Sequence, residues 1–284
     1  MARTEWFSES RGLSALPGFL QPPVRHLVVR RRYLGLRGSD LLLAGHPKSG
    51  TTFLRIVLAA AFTGEEQDFD SVRDVSREIG QHRDLTPIVP GGGRLVKTHE
   101  PPAFPPWGAR PRVLYLVRDG RDIAVSYYRN FQRLGFGAMG VDRFADLFTQ
   151  GRVGPYGSWQ DHADAWVRFV ASSPSPASLV RYEDVLADPF GTLKAALEQL
   201  RLPVDDDSLH AAIDNNSVAK MREKEASSRF LGARSTGAGS FVRTAAAGGW
   251  KGQLDDDVLR RFETAAGPTL TSLGYPLSTS AAAG

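Results

Sequence analysis

The sequence contains no cysteine, which excludes disulfide bonds, thiolate metal sites and cysteine nucleophiles together. No apolar run approaches the ~20 residues that a membrane-spanning helix needs, and the first residues lack the charged-then-apolar order of a secretory signal. The six histidines do not cluster at the spacing of metal ligands, so no metal is expected. These absences predict a soluble protein of the cytoplasm without a transmembrane segment.

Neither sign of charge dominates the chain. The 35 lysines and arginines exceed the 31 acidic residues by four, which favours anionic ligands or surfaces but is too small to predict nucleic-acid binding. Nor do aromatic residues alternate with basic ones as a single-strand binder requires. Hydrophobic residues make up 42% of the 284 residues, which indicates a globular protein and excludes a disordered or fibrous one.

Short apolar runs alternate with helical patterns from residue 41 onward, which predicts an α/β fold with a central parallel sheet flanked by helices. The chain is expected to form one domain over 41–275, followed by a short tail over 276–284. Strands are predicted at Leu41–Ala44, Arg94–Lys97, Val113–Val117 and Leu179–Tyr182, and helices at Thr51–Phe62, Asp122–Phe131 and Pro189–Leu200. In such sheets, ligands bind outside the carboxyl ends of the strands.

Residues 1–40 are predicted to form an N-terminal arm. The arm carries five arginines in a short stretch: Arg25, Arg30, Arg31, Arg32 and Arg37. One interpretation is weak contact with an anionic membrane surface or polymer. The other, favoured because apolar residues interrupt the stretch, is an arm that packs on the domain through Leu27, Val28 and Leu34.

A second irregular stretch runs from Met221 to Gly249. It is polar, rich in glycine, alanine, serine and arginine, and shows no helical or strand period. Because it is too long for a simple connection, it is interpreted either as a disordered segment or as a functional lid.

The strongest chemical signal is the turn Gly45-His46-Pro47-Lys48-Ser49-Gly50-Thr51-Thr52, which joins the first strand to the first helix. Such a turn presents backbone N–H groups at a helix N-terminus, where the helix dipole favours an anion. The glycine spacing matches a nucleotide-binding P-loop, but Thr51 stands where an ATPase or GTPase needs lysine. The turn therefore predicts phosphate binding without ATP or GTP hydrolysis; a structural turn capped by threonines is the alternative.

This turn resembles the 5′-phosphosulfate loop of sulfotransferases that use 3′-phosphoadenosine 5′-phosphosulfate (PAPS), whose Pro-Lys-Ser-Gly-Thr-Thr motif is intact at 47–52. The resemblance implies a P-loop-like fold in which Lys48 neutralises charge on the departing 5′-phosphate. It further implies that the rest of the loop cradles that phosphate and that an aromatic residue stacks on adenine. The phosphate-binding residues are Ser49, Gly50, Thr51 and Thr52, and the aromatic residue is Phe53.

A second element, Arg118 to Tyr128, follows the third predicted strand. Arg118 leaves the strand and Ser126 lies in the next helix, so both side chains can reach one phosphate. In the sulfotransferase family these two positions hold the 3′-phosphate. A structural ion pair between Arg118 and Asp122 is the alternative.

The motif Lys97-Thr98-His99 closes the second predicted strand. A histidine at this place can titrate near neutrality and accept a proton, although an isolated histidine is more often structural. The cytosolic branch of the sulfotransferases carries its catalytic base in Lys-Thr-His. The resemblance therefore implies that His99 takes the proton of the acceptor hydroxyl and that Lys97 holds the sulfuryl oxygens.

Three further matches are weaker. Arg243, ahead of Gly248-Gly249-Trp250-Lys251, corresponds to an arginine of the 3′-phosphate site, although Thr244-Ala245 replaces the family's lysine and glycine. Tyr182 in a Tyr-Glu-Asp motif and Ser217 correspond to residues on the adenine side.

The chain is thus identified as a member of the PAPS-dependent sulfotransferases of the cytosolic type. The resemblance implies sulfuryl transfer from PAPS, without a metal, to a hydroxyl of a phenol or alcohol on a small molecule, lipid or natural product, with PAP as product. Apolar walls for the acceptor are suggested at Pro101–Trp107 and Phe131–Gly157. Two other classes stay open: an ATP-dependent small-molecule kinase that needs Mg²⁺, and a non-enzymatic anion-binding module.

Overall fold

The computed structural model of the chain describes residues 21–135, 139–233, 240–242 and 246–278. Within these residues the strands are β1 (Leu41–Ala44), β2 (Ser76–Glu78), β3 (Leu95–Thr98), β4 (Arg112–Val117) and β5 (Ala177–Arg181). The helices are α1 (Gln21–Arg32), α2 (Thr51–Thr63), α3 (Val72–Val75), α4 (Gly120–Arg133), α5 (Val141–Thr149), α6 (Trp159–Ser172), α7 (Tyr182–Ala187), α8 (Pro189–Gln199), α9 (Asp206–Asp214), α10 (Val218–Ser227), α11 (Arg229–Gly232) and α12 (Asp256–Ser272).

The strands form one sheet in the order β2-β3-β1-β4-β5, and every pairing is parallel. The predicted α/β fold with a central parallel sheet is confirmed. Ala44 at the end of β1 lies opposite Thr98 of β3 and Tyr115 of β4. Three strands therefore deliver the loops that follow them to neighbouring places along one edge.

Two apolar clusters cover the two faces of the sheet. Leu41 and Leu43 point into one cluster with α2, whereas Leu42 points into the other, as the alternation of side chains along a strand requires. Trp159 and Trp166 of α6 belong to the second cluster and are fully buried. No helix in the described ranges is long and apolar enough to cross a membrane.

The structure differs from the sequence-based expectations in three local features described here. The polar strand β2 was not predicted, because three residues are too few for a strand pattern. Tyr182 begins α7 rather than ending β5, since the acidic residues that follow it favour a helix N-terminus. Within 221–249, the absence of regular structure was wrong for α10 and α11. The carboxylate of Asp70 accepts hydrogen bonds from the backbone N–H groups of Arg229 and Phe230, a tertiary contact without a sequence period.

The N-terminal arm includes α1, which packs on the second apolar cluster. Val29, Tyr33 and Leu36 are the buried apolar residues of the described part of this segment. The sequence predicts that the arm packs through Leu27, Val28 and Leu34. In the structure these side chains are 64%, 37% and 37% exposed, respectively. The arm therefore packs on the domain as expected, but through other residues than the sequence predicts.

A buried carboxylate explains this choice of face. Glu100 is 2% exposed and pairs with Arg25 and Arg32 of α1. Because a buried charge is stable only when it is paired, both arginines must face the domain. That orientation turns Leu27 toward solvent.

A second buried ion pair joins the start of β3 to the residue before β1. Both Asp40 and Arg94 are almost completely buried, and Arg94 Nη2 donates to Asp40 Oδ2 at 2.6 Å. The Nε of Arg94 also donates to Asp40 Oδ1, and its Nη1 and Nη2 donate to the backbone carbonyls of Gly35, His82 and Arg83. The pair thus ties the entry to the sheet to two surface loops.

We expect Asp40→Ala to lower the free energy of unfolding by about 3–5 kcal/mol, because it leaves the Arg94 guanidinium buried without its counter-ion. Urea unfolding of both proteins measures this difference. Lys194→Ala is the control, since it breaks a 2.7 Å ion pair with Asp206 at the surface and should change stability little. Equal, small losses for the two variants would contradict the expectation.

Candidate active site

A cavity of about 1950 Å³ opens where the loops that follow β1, β3, β4 and β5 meet. Eleven of the thirteen site residues predicted from the sequence line it: Lys48, Gly50, Thr51, Thr52, Phe53, Lys97, His99, Arg118, Ser126, Tyr182 and Ser217. Ser49, in the same turn, is buried, and Arg243 lies outside the described residues. The sequence motifs, which are far apart along the chain, thus share one cavity.

The turn after β1 depends on unusual backbone angles. Lys48 has φ of 75° and Gly50 has φ of 100°, in the left-handed region that glycine adopts most readily. A Cβ on Gly50 would lie 2.7 Å from the Tyr182 ring, so close packing also requires glycine there. The turn is closed by a 3.1 Å hydrogen bond from the N–H of Ser49 to the carbonyl of His46.

This turn fits an anionic group. Helix α2 begins at Thr51 without a side-chain cap, which leaves the N–H groups of its first turn to another acceptor. The hydroxyl of Ser49 is buried and has no hydrogen-bond partner among the described residues. Such unmet donors at a helix N-terminus suit the 5′-phosphate that the sequence predicts.

Arg118 connects the two ends of the domain. Its Nη1 donates to the Lys48 carbonyl at 3.4 Å, and its Nη2 donates to the Ala246 carbonyl at 3.2 Å. The guanidinium lies 4.5 Å from the centre of the Tyr182 ring. Its Nε is buried and has no partner in the part of the chain that the structure describes. Ser126 lines the same cavity from α4.

The alternative role of Arg118, an ion pair with Asp122, is also present, with a distance of 3.7 Å between Nη2 and Oδ2. The Asp122 carboxylate makes two shorter contacts, accepting from the N–H of Gly248 at 2.8 Å and of Trp250 at 2.9 Å. Asp122 therefore anchors the C-terminal segment beside Arg118. The sequence alone does not indicate this role, because the backbone partners of Asp122 lie 126 and 128 residues away.

His99 is partly exposed to the cavity, and its Nδ1 lies 2.6 Å from the carbonyl oxygen of Gly45. Because a carbonyl only accepts, Nδ1 carries the proton and Nε2 keeps a free lone pair. Burial, followed by the charge of Lys97, lowers the pKa of His99 to about 3. The ring is therefore neutral at pH 7, with its Nε2 unprotonated.

Lys97 is paired with a residue that the sequence analysis missed. Glu78 of β2 stands opposite Lys97 in the parallel register, and its Oε1 lies 2.6 Å from Nζ. Burial raises the pKa of Glu78, but the Lys97 ammonium opposes this through its charge and its hydrogen bond and holds the pKa at about 2. The carboxylate is thus ionised beside the candidate base. No sequence signal marked Glu78, because its strand is three residues long.

The rest of the cavity is more polar than the sequence suggested. None of residues 101–107 lines it, so the expected apolar wall at Pro101–Trp107 is wrong. Among the described residues of the expected wall at Phe131–Gly157, only Arg133, Leu134 and Tyr156 do so. Ten lysines and arginines but only five acidic residues line the cavity, which favours anionic ligands. The described residues contain no group of three side chains able to hold a metal ion.

Three further histidines are buried near this site or at the edge of the sheet. Burial lowers the pKa of His46 to about 4, that of His82 to about 4, and that of His162 well below its ordinary value. The Nε2 of His162 lies 3.1 Å from the carbonyl of His99, so this ring supports the backbone of the candidate base.

Comparison with known proteins points to a single family. A family profile described as "Sulfotransferase domain" matches residues 38–274. Human (Homo sapiens) sulfotransferase 1C2 is 28% identical over 249 residues, covering 79% of this chain and 80% of that protein. Rat (Rattus norvegicus) sulfotransferase 2A1 is 29% identical over 240 residues, covering 80% and 83%.

Solved structures show the same fold. Retinol dehydratase in complex with androsterone and the inactive cofactor PAP superposes with a TM-score of 0.69, at 17% identity and 88% coverage of both chains. Mouse sulfotransferase SULT7A1 complexed with PAP gives a TM-score of 0.63, at 20% identity, covering 84% of this chain and 86% of that one.

The depressed histidine pKa values predict acid sensitivity. An unfolded histidine binds a proton near pH 6.5 whereas buried His46 does so near pH 4, so the unfolded state gains protons first and stability falls as the pH drops below about 6.5. His46 alone should account for about 2 kcal/mol between pH 7 and 5. Urea unfolding at both pH values should show a smaller fall for His46→Gln than for the wild type. An identical fall would contradict this assignment.

Proposed function

Because the chain belongs to the sulfotransferase family and is a PAPS-dependent sulfotransferase, we propose that this cavity binds PAPS and an acceptor hydroxyl side by side. One observation carries the assignment of residues. The loops after β1, β3 and β4 bring Lys48, His99 and Arg118 to the same cavity. A kinase is disfavoured because Thr51 occupies the place of the P-loop lysine.

The donor side of the cavity is proposed to be the turn, Arg118 and the residues near Tyr182. The N–H groups at the start of α2 and the hydroxyls of Thr51 and Thr52 would hold the 5′-phosphate. Arg118 and Ser126 would hold the 3′-phosphate, and the adenine would lie among Phe53, Tyr182 and Ser217. Arg243 is proposed as a further ligand of the 3′-phosphate on the strength of the family motif. PAPS supplies an activated sulfuryl group and leaves as PAP.

The acceptor side is proposed to centre on His99. Its Nε2 carries the free lone pair and would accept the proton of the attacking hydroxyl. Lys97 would hold the sulfuryl oxygens, and the ammonium of Lys48 would stabilise negative charge near the turn. As in phosphoryl transfer, positioning and charge stabilisation are expected to supply most of the rate acceleration.

Glu78 is proposed as a positioning residue for this arrangement. Its 2.6 Å contact holds the Lys97 ammonium at the cavity wall. Its negative charge also raises the pKa of His99, opposing the effects of burial and of Lys97. Without it, His99 would be a weaker base.

The acceptor is proposed to be a hydroxyl of a small molecule. A cytoplasmic location is proposed as well, supported by the Lys-Thr-His motif that the chain shares with the cytosolic branch of the family.

His99→Ala should lower turnover by ~10²–10⁴-fold, the range for loss of one general base, while PAP binding is retained. Turnover is measured with labelled PAPS over a panel of hydroxyl acceptors, and PAP binding by calorimetry. His210→Ala is the control, because His210 is exposed on α9 and does not line the cavity. Near-normal turnover of the His99 variant would remove His99 from the role of base.

Arg118→Ala should weaken PAP binding by about ten- to a hundredfold, since a charge-assisted hydrogen bond to phosphate is lost. Binding of adenosine 5′-monophosphate, which lacks the 3′-phosphate, should change far less. Calorimetry with both nucleotides and with ATP measures these differences, and Arg168→Ala, a change at an exposed position of α6, is the control. Equal losses for PAP and for adenosine 5′-monophosphate would exclude Arg118 from the 3′-phosphate site. ATP binding tighter than PAP binding would favour a kinase.

A further inference from the structure

Arg55 is a buried arginine of the cavity that has no counter-ion in direct contact among the described residues. Arg55 lies on α2, one helical turn beyond Thr51, and it is only 7% exposed although it lines the cavity. Its Nε is buried without a hydrogen-bond partner, and its guanidinium makes no hydrogen bond or ion pair with any residue that the structure describes. A buried guanidinium with unmet donors is unfavourable unless an anion completes it.

The charges near Arg55 do not neutralise it. Glu78 favours its charged form, but that carboxylate is already bonded to Lys97 at 2.6 Å. Arg73, the other charged group that acts on Arg55, opposes its charge. Burial is the largest influence and lowers the pKa of Arg55 below its ordinary value. The Glu78 carboxylate therefore interacts with both Lys97 and Arg55 in this part of the cavity.

A second buried donor belongs to the same wall. The hydroxyl of Ser76 is completely buried, lines the cavity and has no hydrogen-bond partner within the described residues. Ser76 and Glu78 are two residues apart on β2, so their side chains lie on the same face of the strand. Two unmet polar groups thus border the space beside Glu78.

This wall is on the acceptor side of the site. In the sheet order, β2 and β3 lie on one side of β1, whereas β4, which leads to Arg118 and Ser126, lies on the other. Arg55 interacts electrostatically with Glu78 of β2, the residue paired with Lys97 in the motif of the candidate base. In the sheet order, β1 therefore lies between the strands beside Arg55 and the strand that leads to the proposed 3′-phosphate site.

We propose that Arg55 and Ser76 form an anion subsite for the acceptor, so that the favoured acceptor is a hydroxylated compound that carries a carboxylate or a similar anionic group. The anion would meet the free donors of the guanidinium while the hydroxyl reaches His99. This proposal rests on the proposed function, because it assumes that the same cavity binds PAPS and an acceptor.

The test is calorimetry on the full-length enzyme saturated with PAP. The probes are hydroxyphenylalkanoic acids with one to three methylene groups, each paired with its uncharged primary amide. At least one carboxylate should bind ten- to a hundredfold more tightly than its amide, the usual effect of hydrogen bonds to a charged group. Arg55→Gln should remove this preference, and Arg55→Lys should keep part of it. Neither variant should weaken PAP binding.

Arg77→Gln is the matched control, because Arg77 lines the same cavity but is exposed and donates to the Arg73 carbonyl. It should leave the preference for the carboxylate unchanged. An equal loss in the Arg77 variant would show that only the overall charge of the cavity matters and would overturn the proposal. So would a wild type that binds no acid more tightly than its amide.

Thermal unfolding without ligands supplies an independent readout. Because an unpaired buried charge destabilises the folded state, Arg55→Met should raise the melting temperature. A merely structural arginine would give a lower melting temperature, and that result would overturn the proposal. A loss of PAP or PAPS affinity in the Arg55 variants would assign Arg55 to the donor instead. Failure of the wild type to bind PAP would contradict the proposed function itself, whereas PAP binding without any carboxylate preference would contradict only the anion subsite.

Discussion

The parallel register of β1 with β3 and β4 is the constraint on which the site depends. Ala44, Thr98 and Tyr115 lie side by side, so the chain leaves three neighbouring strands at one edge of the sheet. Residues that are about 50 to 70 positions apart then meet, as the contacts from His99 to Gly45 and from Arg118 to Lys48 show. A shift of one strand by a single residue would reverse its side chains and destroy the cavity.

The cations at this edge are held by contacts that an anionic ligand can supplement. Lys48 lies over the Phe241 ring at 4.2 Å, and Lys97 is bonded to Glu78. Asp122 has a different task, because it binds the C-terminal segment through two backbone N–H groups. Acidic residues thus shape the site without cancelling its positive charge, and unmet donors remain for phosphate and for the acceptor.

Two buried carboxylates, each paired with arginine, stabilise parts of the fold outside the turn after β1. Asp40 with Arg94 joins the start of β3 to the residue before β1, and Glu100 fixes the face of α1. Glu100 also lies directly after the Lys97-Thr98-His99 motif, and its carbonyl accepts from the indole of Trp166. The arm and the second apolar cluster therefore meet immediately behind the candidate base.

Local chemistry alone specifies much of this protein. The wholly apolar run Leu41–Ala44 predicts a strand buried on both faces, and the glycine spacing of the turn after it predicts a phosphate loop, since both depend on neighbouring residues. The contacts of Asp122 and the proposed roles of Glu78 and Arg55 follow only from tertiary structure. Glu78 and Asp122 contact partners that are distant in the sequence, whereas Arg55 is buried with no hydrogen-bond partner for its Nε among the described residues. Burial then decides the rest, because the same arginine is an ordinary surface charge in water and an anion-binding group when its donors are enclosed.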